Sequence, residues 1–134
     1  MKGALTMLKS VCKCCAKEFS YKPQVKTGVY CSNDCTKEGQ RKDRRQQFLE
    51  GKIVGRSALK GHLIDIHGHQ CMMCANTEWL GDMIPLELDH IDGNAGDNRP
   101  NNLRLLCPNC HAKTPTHKAR NKGNGRGSRG LPWY

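Results

Sequence analysis

The sequence predicts a small α+β protein that is stabilised by bound metal ions. Three observations carry this prediction. The chain has 134 residues, 37 % apolar and only 5 % aromatic, so its hydrophobic core would be thin for so short a chain. Eight of its nine cysteines form four close pairs. Two short apolar runs, separated by a polar loop, and then a helical segment lie in the second half, which favours two strands and a helix.

The cysteine pairs have the spacing of zinc sites. Two or three residues separate the members of each pair, so a tight turn can point both thiolates at one tetrahedral ion. Grouping the pairs in chain order requires the least crossing of the chain. The predicted structural zinc sites are Cys12, Cys15, Cys31 and Cys35, followed by Cys71, Cys74, Cys107 and Cys110. Mixed pairing and a disulfide framework are the alternatives, and Cys14 could replace Cys12 or Cys15 as a ligand.

Charge and hydropathy limit the partners of the chain. A formal net charge of +10 favours a polyanion, and nucleic acid is the usual one. No run approaches the ~20 apolar residues that a membrane span needs, and residues 1–11 lack the apolar stretch of a secretory signal. We therefore expect a cytoplasmic protein with reduced cysteines and without a membrane partner.

Two helices are predicted between the two cysteine-rich segments. Ser32, Asn33 or Asp34 can cap a basic helix that Gly51 ends. A second helix has Ser57 as its N-cap candidate and Gly68 as its end, with an apolar face made of Leu59, Leu63 and Ile66. The candidate DNA-phosphate contacts on the first helix, for which a solvated face is the equal alternative, are Arg41, Arg44 and Arg45.

The second cysteine-rich segment reads as strand, loop, strand and helix. After a hairpin around Gly81 and Asp82, a strand through Leu86 and Leu88 ends at Asp89–His90. Residues 91–102 are rich in the Gly, Asn and Asp of loops. A strand at 103–106 leads to a helix that opens with His111 and is kept short by Pro115. Because neighbouring strand residues point to opposite sides, we expect Asp89 to face the helix and His90 the loop.

This segment resembles a known family. The stretch LELDHIDGNAGDNRPNNLRLLCPNCH is similar to the HNH endonucleases, above all to zinc-bearing phage and homing nucleases, over about residues 70–122. CKCCAKEF with VYCSNDC is similar to small four-cysteine domains that often precede HNH domains. The resemblance implies a ββα-metal (HNH, treble-clef-like) nuclease domain at 53–119, after a zinc module with a basic helix at 1–52 and before a basic Gly/Arg-rich tail at 120–134.

The resemblance also implies roles for individual residues. Asp89 and His111 would bind a catalytic Mg²⁺ or Mn²⁺ ion, and His90 would be the general base that activates water. Asn102 would orient His90 through the other imidazole nitrogen, although the adjacent Asn101 could be confused with it. Where some relatives have a further metal-binding histidine, this chain has Pro115.

The implied function is metal-dependent hydrolysis of phosphodiester bonds in duplex DNA, with one strand nicked per active site. The rival interpretations are a non-catalytic zinc protein that binds nucleic acid, an RNA-directed nuclease and a purely structural zinc scaffold. The sequence leaves open the target sequence, the biological role, and whether the chain acts alone, as a homodimer or in a larger phage-encoded complex. Further candidate DNA contacts are Arg99, Arg104, Lys118 and Arg120.

Overall fold

The computed structural model describes residues 6–117, and the chain divides into two compact units between Gln46 and Gln47. The strands pair as three antiparallel hairpins, β1–β2, β3–β4 and β5–β6. No helix in the described part of the chain is long and apolar enough to cross a membrane. The predicted tail at 120–134 and the candidate DNA contacts Lys118 and Arg120 lie outside the described residues. In chain order the elements are β1 Leu8–Val11, β2 Glu18–Tyr21, α1 Asn33–Leu49, α2 Arg56–His67, β3 Glu78–Trp79, β4 Asp82–Met83, β5 Glu87–His90, a 3-10 turn Pro100–Asn102, β6 Leu103–Leu106 and α3 Pro108–Ala112.

The first unit has almost no hydrophobic core. Of its described residues only Cys12 and Gly39 are buried. The ring of Tyr30 packs on Gly39 in the middle of α1, so this position requires a glycine. A Cβ there would come within 2.3 Å of that ring. Ser32 caps α1, its hydroxyl accepting the backbone N–H of Cys35 at 3.1 Å. Stability from burial is therefore small in this unit, and its cysteine cluster must supply much of the rest.

The second unit has one continuous apolar core. Phe48, from the last turn of α1, is fully buried in it and stacks on His62 with ring centroids 4.8 Å apart. α2 adds its buried stripe, β5 adds one apolar side chain, and β6 adds three. The other buried members are Leu59, Leu63, Cys71, Ile84, Leu86, Leu88, Leu103, Leu105, Leu106 and Cys107. Two cysteines of the second cluster are thus part of the core that positions the site.

The predicted strands and helices are present, β1 and β2 were not predicted, and α2 needs two corrections. Its N-cap is Gly55 rather than Ser57, because the Gly55 carbonyl accepts the first helical N–H, from Leu59, at 2.9 Å, and no side chain caps the helix. Leu59 and Leu63 are buried as expected, but Ile66 is 45 % exposed, since it lies near the end of the helix where the core no longer covers it. The metal-stabilised α+β fold class is confirmed.

Candidate metal centres and active site

The second cysteine cluster joins the start of the domain to its last helix. The Sγ atoms of Cys71, Cys74, Cys107 and Cys110 all lie within 4.8 Å of one another. The first pair lies on a tight turn that Ala75 closes with φ 60°, its N–H donating to the Cys71 carbonyl at 2.8 Å. The second pair begins α3, and the Cys107 N–H donates to the Cys71 sulfur at 3.3 Å. Four sulfurs therefore converge as tetrahedral zinc requires.

The first cluster is built in the same way. Cys12, Cys15, Cys31 and Cys35 also bring their Sγ atoms within 4.8 Å of one another. Ala16 closes the turn after the first pair with φ 59°, and the Cys31 N–H donates to the Cys12 sulfur at 3.4 Å. The four-cysteine cluster predicted for the N-terminal unit is thus present, with the expected members.

The chemistry of the thiols fits a zinc ion. Burial raises the pKa of Cys71, but N–H donors, those of Cys107 and Cys74 first, outweigh burial and lower this pKa to about 6. Burial, reinforced by hydrogen bonds with the neighbouring thiols, raises the pKa of Cys110 to about 12. Four sulfurs this close cannot all ionise at neutral pH without a compensating cation. Zn²⁺ supplies that charge and prefers thiolate ligands.

A histidine and two carboxylates form a second constellation where β5 faces α3. Glu87 and Asp89 are two residues apart on β5, so both point to the same side of the strand, and His111 of α3 lies between them. The Glu87 Oε2 lies 2.5 Å from His111 Nδ1, and the Asp89 Oδ1 lies 3.5 Å from His111 Nε2. A carboxylate only accepts, so Nδ1 carries the proton and the Nε2 lone pair faces Asp89.

This pair of atoms fits a divalent cation. Two ligands at about 2.1 Å from one octahedral ion lie about 3 Å apart, close to the 3.5 Å between Asp89 Oδ1 and His111 Nε2. The hydrogen bond from the far nitrogen of the imidazole to Glu87 is the usual support of a metal-binding histidine. Asp89 and His111 would therefore hold the ion, and Glu87, which the sequence analysis missed, would orient His111. Strand alternation was the signal for Glu87.

Arg104 fixes the other oxygen of Asp89. The two residues are opposite each other in the β5–β6 pairing, and the Arg104 Nε donates to Asp89 Oδ2 at 2.6 Å. Asp89 is only 4 % exposed, so its charge needs such a partner. Arg104, a candidate DNA contact, is thus engaged inside the site through Nε, and its Nη groups remain as donors.

His90 faces the loop, on the other side of β5 from Asp89. Its Nε2 donates to the Asn98 Oδ1 at 2.9 Å, which leaves the lone pair on Nδ1. The partner expected for this imidazole was Asn102, and the structure corrects that expectation. Asn98 is buried, 7 % exposed, and belongs to an irregular loop without periodicity, so no sequence signal separated it from its neighbours.

Asn102 braces the loop instead. Its Oδ1 accepts the Asp92 N–H at 3.1 Å, and its Nδ2 donates to Asp92 Oδ1 at 2.9 Å and to the Asp97 carbonyl at 3.0 Å. The 3-10 turn just before β6 directs this amide into the loop rather than toward the imidazole. Asn102 therefore acts on His90 only through the loop that carries Asn98.

The candidate DNA contacts differ in how freely their charges are available. Arg99 donates to Asp97 through Nε and Nη2, and this bond, with the Arg99 N–H, lowers the pKa of Asp97 to about 2. Arg41 is bound to Glu38 at 3.0 Å. No ion pair is found for Arg44 or Arg45 among residues 6–117.

Together these features define a class: a strand–loop–strand–helix domain with a four-cysteine cluster and a histidine–aspartate pair that could hold a metal ion. Residues 71–115 match the family model described as HNH endonuclease. The chain is also 42 % identical over 84 residues to a protein of Escherichia phage T5 named H-N-H endonuclease F-TflIV. The alignment covers 61 % of this chain and 37 % of that relative. No solved structure was found to match the chain.

Proposed function

We propose that the chain is a metal-dependent endonuclease that hydrolyses phosphodiester bonds in duplex DNA, nicking one strand per active site. The observation that carries the proposal is the pair Asp89 Oδ1 and His111 Nε2, 3.5 Å apart, inside the HNH match at 71–115. Each side chain is held through its other polar atom, Asp89 Oδ2 by Arg104 and His111 Nδ1 by Glu87. The net charge of +10 favours a nucleic-acid substrate. Action in the cytoplasm stays a prediction, as does the oligomeric state.

Mg²⁺ or Mn²⁺ bound by Asp89 and His111 would polarise the phosphate oxygens and stabilise the charge that develops on them. His90 takes a proton from the attacking water at Nδ1, because its Nε2 proton is already committed to Asn98. Asn98 then stabilises the imidazolium by accepting from the same Nε2. Arg104 offers its remaining N–H groups to the phosphate while its Nε keeps Asp89 in place.

The test is conversion of supercoiled plasmid to nicked circles with Mg²⁺ or Mn²⁺. We expect His90→Ala to lose about 10²-fold or more in rate, the usual contribution of a general base. His67→Ala is the matched control, because His67 is an exposed histidine of the same unit, and it should keep the wild-type rate. Equal rates for wild type and His90→Ala, with DNA binding intact, would leave a non-catalytic DNA-binding protein.

The substrate and the metal are tested in the same assay. Duplex DNA should be cut in preference to single-stranded RNA, and preference for RNA would favour an RNA-directed nuclease. The mixed oxygen and imidazole donors favour Mn²⁺ over Mg²⁺, since imidazole suits the softer transition metals. We therefore expect half-maximal activity at a lower Mn²⁺ than Mg²⁺ concentration.

A further inference from the structure

A cleft of about 550 Å³ opens beside the proposed metal centre. One wall belongs to the first turns of α2, with Arg56, Ser57 and Lys60, and the other includes Glu87 and His111. His111 is therefore shared between the cleft and the pair that would hold the cation. The volume is in the range of pockets that hold small ligands, about 300–1,000 Å³.

The cleft carries two positive side chains that form no ion pair with any acid in the described part of the chain. Arg56 and Lys60 are four residues apart, so they lie on the same side of α2, and like charges at this spacing repel each other. Neither forms an ion pair within residues 6–117. Glu87, the acid that lines the cleft, is already bound to His111 Nδ1. Two cations held without a partner beside a metal centre favour an anionic ligand.

We propose that Arg56 and Lys60 bind the backbone phosphate next to the scissile one, on the strand that is cut. The proposal rests on the proposed nuclease function, since the scissile phosphate would lie at Asp89 and His111. Arg56 presents a planar fork of N–H donors that matches two phosphate oxygens, and Lys60 adds a compact charge. These are binding residues that align the strand, separate from the groups that carry out the chemistry.

The test compares ligands that carry one or two phosphates. Thymidine 3′,5′-bisphosphate has a second phosphate one nucleoside away from the first, whereas thymidine 3′-phosphate and thymidine 5′-phosphate each have one. With Mn²⁺ present, we expect the full chain to bind the bisphosphate about tenfold more tightly than the better monophosphate, which is about one charge-assisted hydrogen bond. Calorimetry measures this gain without any cleavage.

The double variant Arg56→Ala/Lys60→Ala should lose the gain while keeping the affinity for the monophosphate. Neither residue belongs to a cysteine cluster, so zinc content and circular dichroism should match those of wild type. Lys17→Ala/Lys22→Ala is the control, because it removes two exposed charges in the other unit and should keep the gain. The proposal is overturned if wild type shows no gain, or if the cleft variant keeps it.

Failure of this proposal is distinguishable from failure of the proposed function. A chain that nicks plasmid but binds both kinds of ligand equally would keep the nuclease assignment and lose the phosphate site. A chain that binds the bisphosphate through Arg56 and Lys60 but never cleaves DNA would keep the phosphate site and lose the nuclease assignment.

Discussion

Glu87 decides which nitrogen of His111 is available to a metal ion. Because its carboxylate accepts a hydrogen bond from Nδ1–H at 2.5 Å, the imidazole is fixed in one tautomer and one orientation, with Nε2 toward Asp89. Glu87 is the exposed first residue of β5, and without its bond to His111 it would be interpreted as a solvated surface charge. Its position two residues before Asp89 gives it a role in the metal centre.

Removing Glu87 should therefore weaken metal binding more than it weakens the fold. For Glu87→Ala we expect the Mn²⁺ concentration at half-maximal cleavage to rise about 10- to 100-fold, the usual effect of losing such a support. Titration of Mn²⁺ in the plasmid assay measures it. Glu78→Ala removes an exposed acid of the same unit and should leave the titration unchanged. An unaltered Mn²⁺ requirement in Glu87→Ala would show that His111 needs no such orientation.

Asn98 has the corresponding role for His90. Asn98→Ala removes the acceptor of the Nε2 proton, so the imidazole loses its fixed tautomer. We expect the plasmid-nicking rate at saturating DNA to fall about tenfold or more, part of the ~10²–10⁴ that a positioned base contributes. Asn101→Ala, a change in an exposed neighbour, should cleave like wild type. A wild-type rate for Asn98→Ala would mean that the loop alone positions His90.

At the scale of elements, Asn102 links two parts of the loop between β5 and β6. Asn102 makes three hydrogen bonds to Asp92 and Asp97, and the Asp97–Arg99 bond closes the next turn. The pKa of Asp97 is about 2, below its ordinary 3.8. The stability that the Asp97–Arg99 bond contributes is therefore complete above about pH 4 and is lost as the pH falls through 2. The Asp97–Arg99 bond therefore contributes fully to the stability of this loop at neutral pH.

Asn102→Ala should loosen this loop and destabilise the domain. Losing bonds of a buried amide costs about 1–3 kcal/mol, which urea unfolding of the zinc-bound protein would measure as a lower midpoint. Nicking should also slow, because Asn98 would no longer be held against His90. The adjacent Asn101→Ala is the control and should keep the wild-type midpoint. If both variants unfold alike, Asn102 does not brace the loop.

The strands and helices could be predicted from the sequence because their signals are local. The apolar run Leu103–Leu106 forms β6 with the predicted bounds, and Gly68 ends α2. The strands β1 and β2 were not predicted, since each has only four residues and none of them is buried. The partner of His90 could not be predicted either, because Asn98 reaches it only through the path of a twelve-residue loop, 91–102.

At the scale of the whole molecule, each unit has its own cysteine cluster, and the two units depend on their clusters for stability to different extents. The first unit buries only Cys12 and Gly39 among its described residues, whereas the second has an apolar core of eleven buried residues. Loss of zinc should therefore unfold the first unit completely. The second unit would keep collapsed apolar residues but lose the link between Cys71 and α3.

Metal analysis of the full chain tests this independence. We expect about two zinc ions per chain, and about one in Cys35→Ser, which removes a ligand of the first cluster alone. Cys14→Ser is the matched control, because Cys14 is not a member of either cluster, and it should keep both ions. Two ions in Cys35→Ser would show that Cys14 replaces the lost ligand, and none would show that the clusters are coupled.

The bond between Arg104 and Asp89 also has a kinetic consequence. With Arg104 on one oxygen of Asp89 and Glu87 on one nitrogen of His111, both candidate ligands are already oriented before an ion arrives. The conformational entropy of the Asp89 and His111 side chains is therefore lost when the chain folds rather than when the ion binds. We therefore expect association of the ion to be limited by release of water from its own hydration shell, so that Mn²⁺ should enter faster than Mg²⁺, which dehydrates reluctantly.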